Sequence, residues 1–338
     1  MVSKKKDQVI PLLGPNNIGS TCNGSTPQIY EYMPIDFLKV ELINFDVNNL
    51  LNNPLLNFSR KVNEDTGEII IYESKDGYTI QNPRKAEYKN LVFIIQDNGK
   101  VYMHGSLHKY SNEGLHNYND FIQLRFERAL NRLKNEFKIL PVNIRIQTLE
   151  YGLNITPPHD TNKILMSCFQ HRKRSIIETI PNSKGKYKQV IGDKFILKLY
   201  NKSKQYLDKK YNGKFKIPCE IMRIEIKQTN WSEIRKKLDI DTLQDFIDSD
   251  KTYFVDRLID IWNELIFFNP LNLGNGVNSK YSNPLFWEGL KEKSNNTYFK
   301  HSKRLKEMNK HPFDLQKQVA LTMLKKIQSL QPTSKTKR

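Results

Sequence analysis

Two segments of the chain alternate apolar and polar residues with the period of a β-strand, and their polar positions carry an unusual set of side chains. The first segment runs from Phe195 to Tyr206, and the second from Ile221 to Lys227. Successive side chains of a strand point to opposite faces of its sheet. The polar face of this predicted pair holds Lys198, Tyr200, Lys202, Arg223, Glu225 and Lys227. A phenol, amines, a guanidinium and a carboxylate on one surface suit chemistry on a phosphodiester.

Further alternating or β-branched runs predict a sheet that extends well beyond these two segments. The additional predicted strands are Leu38–Phe45, Glu68–Tyr72, Leu91–Ile95, Lys100–His108 and Asn143–Ile155. The tripeptide Asp97–Gly99 predicts a hairpin, because its residues accept positive φ angles. We therefore expect an α+β fold whose central sheet is rich in antiparallel strands.

The helical patterns divide into one helix in the first half of the chain and several after the second alternating segment. The first, following an expected N-cap at Asn119, has an apolar stripe of Ile122, Phe126, Ala129, Leu130, Leu133 and Phe137. The others are predicted at Thr161–Gln170, Trp231–Leu238, Leu243–Ile247, Tyr253–Phe268 and Asp314–Leu330. The stretch from His171 to Gly192 is predicted to be a basic loop. These patterns predict an irregular N-terminal arm (1–35), a main domain (36–270) and a basic helical extension (271–338).

The charge balance is the strongest global signal for a partner. The chain has 54 Lys and Arg residues against 36 Asp and Glu residues, which gives a formal charge of +18. Such an excess favours polyanions, with nucleic acid first and acidic lipid second. A generally lysine-rich composition is the alternative explanation.

Cysteine usage and hydropathy predict a cytoplasmic protein with no membrane partner. Cys22, Cys168 and Cys219 are too few and too scattered for a disulfide framework or a zinc cluster. The start of the chain lacks the apolar core of a signal peptide, and the most apolar helical stretch, Leu258–Phe268, contains Asp260 and Glu264.

Carboxylates on the polar faces of the predicted strands are candidate metal ligands. Glu150 and Glu225 offer the oxygen ligands that Mg²⁺ and Mn²⁺ prefer. His104 and His108 lie on one predicted strand face and are possible third ligands. For each glutamate the alternative is a pair with a neighbouring Lys or Arg on a solvated sheet face, and a lone histidine in a strand is more often structural.

Tyrosine as a nucleophile needs assistance, because the ordinary pKa of its hydroxyl is about 10. Lys198 and Lys202, two positions to either side of Tyr200, would supply cations that favour the phenolate. A surface tyrosine packed between lysine stems fits the same local pattern.

Four short blocks, taken in order, resemble the replication initiators of filamentous phages, the gene II protein family, and more distantly the staphylococcal plasmid rolling-circle initiators. The first is Gly105–Tyr110 continuing to Gly114–Asn117, which resembles a Ser-x-x-Lys block ending in Gly-His-Asn. The second is Thr148–Asn154, where Glu150 replaces the family's Asp and the preceding Arg is missing. The third and fourth are Leu199–Lys202, similar to a Tyr-x-Lys strand, and Met222–Glu225, similar to an Arg-x-Glu strand.

The resemblance covers roughly residues 90 to 240 and implies a metal-dependent DNA nickase of a phage or plasmid, acting in the cytoplasm of a bacterial host. Tyr200 would attack a phosphodiester at the replication origin and form a 5′-phosphotyrosine, which is later resealed. Lys202 and Arg223 would stabilise charge on the phosphoryl oxygens. The residues expected to bind DNA are Lys109, His116, Asn117, Lys198 and Lys227.

Rolling-circle synthesis from such a nick implies a host helicase and polymerase as partners. Two alternatives stay open on the sequence: a relaxase for plasmid mobilisation, and a non-catalytic DNA-binding protein. Tyr206 and Tyr211 are further tyrosines that could serve as a second nucleophile.

Overall fold

The computed structural model describes residues 34–73, 79–179, 187–206, 215, 217, 219–272, 279–310 and 313–330. Its centre is a nine-stranded sheet in which every neighbouring pair is antiparallel. The expected α+β fold is confirmed. The expected N-terminal arm falls almost entirely on residues 1–33, and Tyr211 on 207–214, both outside the described residues.

The strands, in chain order, are β1 Ile35–Leu42, β2 Ile71–Glu73, β3 Thr79–Gln81, β4 Arg84–Tyr88, β5 Leu91–Ile95, β6 Val101–Ser106, β7 Ile144–Ile155, β8 Cys168–His171, β9 Arg174–Ser175, β10 Ile177–Thr179, β11 Tyr187–Ile191, β12 Phe195–Asn201, β13 Met222–Gln228 and β14 Leu265–Phe267. The central sheet has the order β10-β11-β12-β13-β7-β1-β6-β5-β4. Strands β14, β8 and β9 form a second sheet, and β2 pairs with β3.

The helices are α1 Asn48–Leu51, α2 Leu107–Ser111, α3 Gln123–Phe137, α4 Thr161–Met166, α5 Lys202–Gln205, α6 Trp231–Leu238, α7 Leu243–Asp248, α8 Thr252–Asn263, α9 Pro284–Lys291, α10 Asn295–Asn309 and α11 Leu315–Ser329. Short 3₁₀ turns occupy Pro141–Asn143, Pro270–Asn272 and Ser279–Ser282. No helix within these described ranges is long and apolar enough to cross a bilayer.

One apolar core joins the sheet to most of the helices. The predicted stripe of α3 is confirmed, since Phe126, Ala129, Leu133 and Phe137 are buried in it. Helices α8 and α11 contribute Leu258, Trp262, Val319 and Met323 to the same core. A separate apolar cluster joins α9 and α10 to β14 through Trp287, Tyr298 and Ile266.

Several predicted element ends are wrong because capping residues stop the strands early. The strand predicted to reach His108 ends at Ser106, whose side chain accepts a hydrogen bond from the backbone N–H of Lys109 and starts α2. Similarly, Asn201 caps α5, so Lys202 lies in a helix and not in the strand. The expected cap at Asn119 is also wrong, since α3 begins at Gln123.

Two predicted helices are too long, and the predicted basic loop contains strands. The helix expected to reach Gln170 ends at Met166, where β8 follows, and the one expected to reach Phe268 gives way to β14. The stretch predicted as a loop up to Gly192 holds β9, β10 and β11. Strand β11 pairs with β12 and thus adds a further strand beside Tyr200.

Candidate active site

Three adjacent strands bring the polar side chains of the two alternating segments onto one face of the sheet. In the register of β12, β13 and β7, Tyr200 lies opposite Arg223, and Arg223 lies opposite Asn154. On the same face, two residues earlier along β12, Lys198 lies opposite Glu225. The period-2 prediction for these strands is confirmed.

Gly152 of β7 lies opposite Glu225 of β13 and so follows Lys198 and Glu225 in this row across the three strands. A Cβ atom at this position would lie 2.6 Å from the carbonyl oxygen of Ile224 and 3.0 Å from the Cα of Glu225. Only a residue without a side chain permits this approach of the two backbones. The close pairing of β7 with β13 beside Glu225 therefore depends on glycine at position 152.

A β-bulge in β1 adds two residues that the alternation does not predict. Ile35 pairs with Tyr151 of β7, and Leu38 pairs with Leu149. The step from Ile35 to Leu38 on β1 is thus one residue longer than the matching step from Tyr151 to Leu149 on β7. Asp36, inside this irregular stretch, is 4 % exposed. A bulge changes the direction in which a side chain points, and both Asp36 and its neighbour Phe37 line a cavity at this face of the sheet.

A cavity of about 540 Å³ lies over this face of the sheet. Its lining combines a carboxylate-rich floor with three lysines: Asp36, Phe37, Asn90, Ser106, Lys109, Asn117, Glu150, Tyr187, Lys198, Tyr200, Lys202, Gln205 and Glu225. This volume lies in the range of small-molecule and cofactor sites. Strands from both halves of the sheet and helices α2 and α5 supply the lining.

Tyr200 lies at the floor of the cavity and is 9 % exposed. Its hydroxyl donates to Oε2 of Glu225 at 3.3 Å and lies 3.4 Å from Nζ of Lys202. Burial, together with the Glu225 carboxylate, raises the pKa of Tyr200 well above its ordinary value. In the resting site, burial and the Glu225 charge outweigh the expected stabilisation of the phenolate by the flanking lysines, and Lys198 is itself paired with two carboxylates.

Lys198 bridges the two glutamates that were predicted to bind a metal. Its Nζ lies 2.8 Å from Oε1 of Glu150 and 2.9 Å from Oε1 of Glu225. Although burial opposes it, the two carboxylates raise the pKa of Lys198. The ammonium thus occupies the position between the carboxylates.

The two glutamates have opposite pKa shifts. Burial and the nearby Glu225 charge raise the pKa of Glu150 to about 7. Burial opposes ionisation of Glu225 as well, but Arg223 and Lys198 lower its pKa below the ordinary range. Glu225 is therefore the ionised member of the pair.

Arg223 is 3 % exposed, and three different side chains accept hydrogen bonds from its guanidinium. Nε donates to Oε2 of Glu225 at 2.7 Å, Nη1 to Oδ1 of Asn154 at 2.9 Å, and Nη2 to Oδ2 of Asp36 at 2.8 Å. Arg223 does not line the cavity. Its contacts are those of a residue that positions its neighbours.

Asn117 and Ser106, both from the first resemblance block, complete the surroundings of Asp36. Asn117 Nδ2 donates to Asp36 Oδ2 at 2.6 Å, and Ser106 Oγ donates to Oδ1 at 2.5 Å. Tyr206 is 1 % exposed, and its hydroxyl donates to Oδ1 of Asn117 at 2.6 Å. A tyrosine held in this way braces the site and does not reach the cavity lining.

The remaining predicted site residues lie around the cavity at different distances. Lys109 lines it, whereas Lys227 reaches Glu150 Oε1 at 3.2 Å from outside the lining. His116 stacks on Tyr118 with ring centroids 4.1 Å apart and does not line the cavity. The structure thus brings together Tyr200, Lys198, Lys202, Glu150 and Glu225, with Asn117 and Lys109 at the wall.

Neither predicted histidine joins the two glutamates. His108 lies in α2, stacks on Phe121, and its Nε2 is 2.6 Å from Oδ1 of Asn119. Burial lowers the pKa of His108 to about 4. His104 lies on β6 beside Phe37, with ring centroids 6.1 Å apart.

The expected ligand set does not fit a divalent ion in this arrangement. Within the described ranges, no group of three or more His, Cys, Asp or Glu residues is placed to hold a metal. The glutamate oxygens face the Lys198 ammonium, and a divalent ion between them would require that ammonium to move.

Asp36 and Tyr187 are polar cavity residues that the sequence patterns did not predict. Tyr187 lies opposite Tyr200 in the register of β11 and β12, with ring centroids 5.4 Å apart. Burial raises the pKa of Tyr187 to about 12. The alternation of Tyr187, Gln189 and Ile191 against Lys188 and Val190 was the available signal for this strand.

No protein-family model matches the chain, and no curated protein matches it.

Proposed function

We propose that the chain is a replication initiator that nicks one DNA strand at a phage or plasmid origin and rejoins it after rolling-circle synthesis. The observation that carries this proposal is Tyr200 at the floor of a cavity, between the Glu225 carboxylate and the Lys202 amine. The four sequence blocks that resemble phage initiators contribute residues to this one region of the fold.

In the proposed reaction the Tyr200 hydroxyl oxygen attacks the phosphorus atom and forms a 5′-phosphotyrosine. The P–O3′ bond breaks, and the released 3′-hydroxyl primes a host polymerase. The covalent intermediate preserves the energy of the phosphodiester bond, so that resealing needs no nucleotide. A host helicase would unwind the nicked duplex.

The cavity residues have complementary roles in this proposal. Lys202 and Lys109 stabilise the charge of the phosphoryl oxygens, as positively charged groups do in phosphoryl transfer. Glu225 accepts the hydrogen bond that orients the Tyr200 hydroxyl. Arg223 holds Glu225 and Asp36 in place through the hydrogen bonds described above.

The resemblance implies dependence on Mg²⁺ or Mn²⁺, with Glu150 and Glu225 as the ligands of the ion. Lys198 lies between these two carboxylates, so no step of the proposed reaction passes through a metal. An incoming ion would first have to displace the Lys198 ammonium before it could bind the two glutamates. Metal dependence is therefore tested separately from the role of Tyr200.

A basic surface on α10 supports DNA binding away from the cavity. Tyr298 and Leu305 of this helix are buried, whereas Lys300, Lys303 and Arg304 are exposed. Among the ion pairs of the described residues, none involves these three cations. Exposed cations of this kind bind DNA phosphates and release counterions.

The decisive experiment is formation of a covalent protein–DNA adduct. Labelled single-stranded oligonucleotides that tile the DNA around the coding sequence are incubated with the full chain and Mg²⁺ or Mn²⁺. We expect an adduct that survives denaturing electrophoresis and that mass spectrometry locates on Tyr200. Tyr200→Phe should abolish it, while Tyr253→Phe, a change outside the cavity, should not.

Persistence of the adduct in Tyr200→Phe would refute the assignment. Metal-independent DNA binding with no adduct would favour the non-catalytic DNA-binding alternative, which the neutral resting state of Tyr200 also fits. A relaxase shares the chemistry, and the neighbouring genes of the replicon would distinguish it from an initiator.

A further inference from the structure

Lys202 is the most deeply buried lysine of the site and lies beside the Tyr200 hydroxyl. It is 1 % exposed and is the first residue of α5, where the Asn201 cap turns the chain. Its Nζ lies 3.4 Å from the Tyr200 hydroxyl oxygen and within 5.6 Å of the centroids of both the Tyr200 and Tyr206 rings.

The charged and titratable groups that face Lys202 come from strands β1, β12 and β13, from helix α2, and from the segments that directly follow α2 and α5. They are Asp36 on β1, His108 and Lys109 in α2, His116 after α2, Tyr200 on β12, Tyr206 after α5, and Arg223 and Glu225 on β13. Both carboxylates in this set are already paired: Asp36 with Arg223, and Glu225 with Arg223 and Lys198.

Lys202 therefore has no carboxylate of its own. Among the ion pairs of the described residues, none involves Lys202, whereas Lys198 has two carboxylate partners. An unpaired ammonium in a buried site is unfavourable. Burial and the neighbouring Arg223 charge together lower the pKa of Lys202 to about 7.

The other groups beside the phenol already have partners. Oε2 of Glu225 accepts a hydrogen bond from Arg223, and its Oε1 accepts one from Lys198. Lys198 in turn pairs with both Glu150 and Glu225. An effective general base has a pKa near the operating pH and lies within reach of the proton that it accepts. Nζ of Lys202 lies 3.4 Å from the Tyr200 hydroxyl oxygen, whose hydrogen is directed at Glu225. Rotation of this hydroxyl about its C–O bond would direct the hydrogen at Nζ.

We propose that the neutral amine of Lys202 accepts the Tyr200 proton during nicking and returns it during rejoining. This role rests on the proposed nicking function and assigns the proton transfer that the reaction requires. The Tyr200 O–H bond breaks, its proton moves to Nζ, the phenolate oxygen bonds to phosphorus, and the P–O3′ bond breaks. The departing 3′ oxygen takes a proton from water.

The transfer also supplies a positive charge at the moment when it is needed. Lys202 is neutral before the attack and an ammonium afterwards, beside the new phosphotyrosine. The amine thus acts first as a base and then stabilises negative charge on the phosphoryl oxygens.

The first test is the pH dependence of adduct formation under single-turnover conditions. The native rate should rise with pH and level off above pH about 7. Lys202→Met should lower the rate by about 10²–10⁴-fold, and added methylamine should restore part of it. Lys202→Arg keeps a positive charge but cannot accept a proton, so it should stay slow.

The second test needs no activity. In lysine-labelled protein, the NMR signal that is lost in Lys202→Arg should titrate at pH about 7. Titration near the ordinary lysine pKa of about 10.4 would overturn the proposal, as would a native rate profile in Lys202→Arg. If the proposed nicking function itself is wrong, the native chain will form no adduct at any pH, which is a different result from those above.

Discussion

The guanidinium of Arg223 donates from Nη2 to Oδ2 of Asp36 at 2.8 Å, across a separation of 187 positions in the chain. The same guanidinium bonds Glu225 and Asn154, so that three strands of the sheet, β1, β7 and β13, are joined beneath the cavity. These hydrogen bonds fix the carboxylate that accepts the Tyr200 hydroxyl.

Arg223→Met should therefore unfold more easily than the native chain. It leaves Asp36 and Glu225 buried with their main counter-charge removed, and breaking such a buried pair costs about 3–5 kcal/mol. Urea unfolding followed by circular dichroism measures this loss.

The matched control is Arg174→Met, which removes a pair with Asp193 at the surface. Exposed pairs of this kind contribute about 0–1 kcal/mol. Equal losses for the two variants would mean that the Arg223 network does not stabilise the sheet.

Lys202→Met should make the protein more stable while it impairs the reaction. The pKa of Lys202 is about 7 in the folded chain and about 10.4 in an unfolded one. Between these values the unfolded state binds more protons, so the free energy of unfolding contributed by this lysine rises with pH. The stabilisation by methionine should hence be largest below pH about 7, where the native chain must bury an ammonium.

Thermal unfolding at acidic and alkaline pH measures this difference. We expect a gain of about 1–3 kcal/mol at acidic pH, in the range typical of a relieved buried polar group. Lys194→Met, an exposed site paired with Glu233, should show no such pH-dependent gain. A loss of stability in Lys202→Met at acidic pH would contradict the proposed environment.

Lys198→Met should bind Mn²⁺ more tightly than the native chain does. The substitution removes the ammonium between Glu150 and Glu225 and leaves their oxygens available to a cation. An increase of about tenfold corresponds to 1.4 kcal/mol. Electron paramagnetic resonance of Mn²⁺ titrated into DNA-free protein measures the affinity.

Two variants make this result specific. Lys194→Met changes the net charge equally and should leave Mn²⁺ binding unchanged. Adding Glu150→Gln to Lys198→Met should remove the gain; if the gain persists, these glutamates are not the ligands.

Charge reversal on α10 should weaken duplex binding and reduce its salt dependence. Each phosphate contact contributes about 0.9 to the slope of log K against log salt. Lys300→Glu combined with Lys303→Glu should accordingly reduce the slope by roughly 1.8. Fluorescence anisotropy of a labelled duplex at several salt concentrations measures it.

Arg128→Glu combined with Lys134→Glu on α3 makes the same change of net charge elsewhere. If both pairs reduce the slope equally, the effect belongs to the overall charge and not to α10. Adduct formation on a short single strand should be unchanged by the α10 pair.

Period-2 alternation was sufficient to predict which faces of β7, β12 and β13 meet, because burial of one face fixes the register of a strand. It failed where a capping side chain or a bulge interrupts the period. Ser106 moves His108 into a helix, Asn201 does the same for Lys202, and the bulge brings Asp36 into the site.

The ionisation of the site could not be predicted from the order of residues. Lys198 and Lys202 flank Tyr200 symmetrically in the sequence, yet one has two carboxylate partners and the other is buried beside the phenol. Which lysine keeps its proton depends on pairing between strands that are far apart in the chain.

The position of Asp36 determines how this protein can be shortened. Strand β1 pairs with β6 on one side and with β7 on the other, so it lies inside the sheet. A fragment limited to residues 90–240, where the sequence blocks lie, would lack both this strand and Asp36, one of the two carboxylates that pair with Arg223. It would expose the edge of β7 to intermolecular pairing, which makes such a fragment a poor minimal enzyme and a candidate for aggregation.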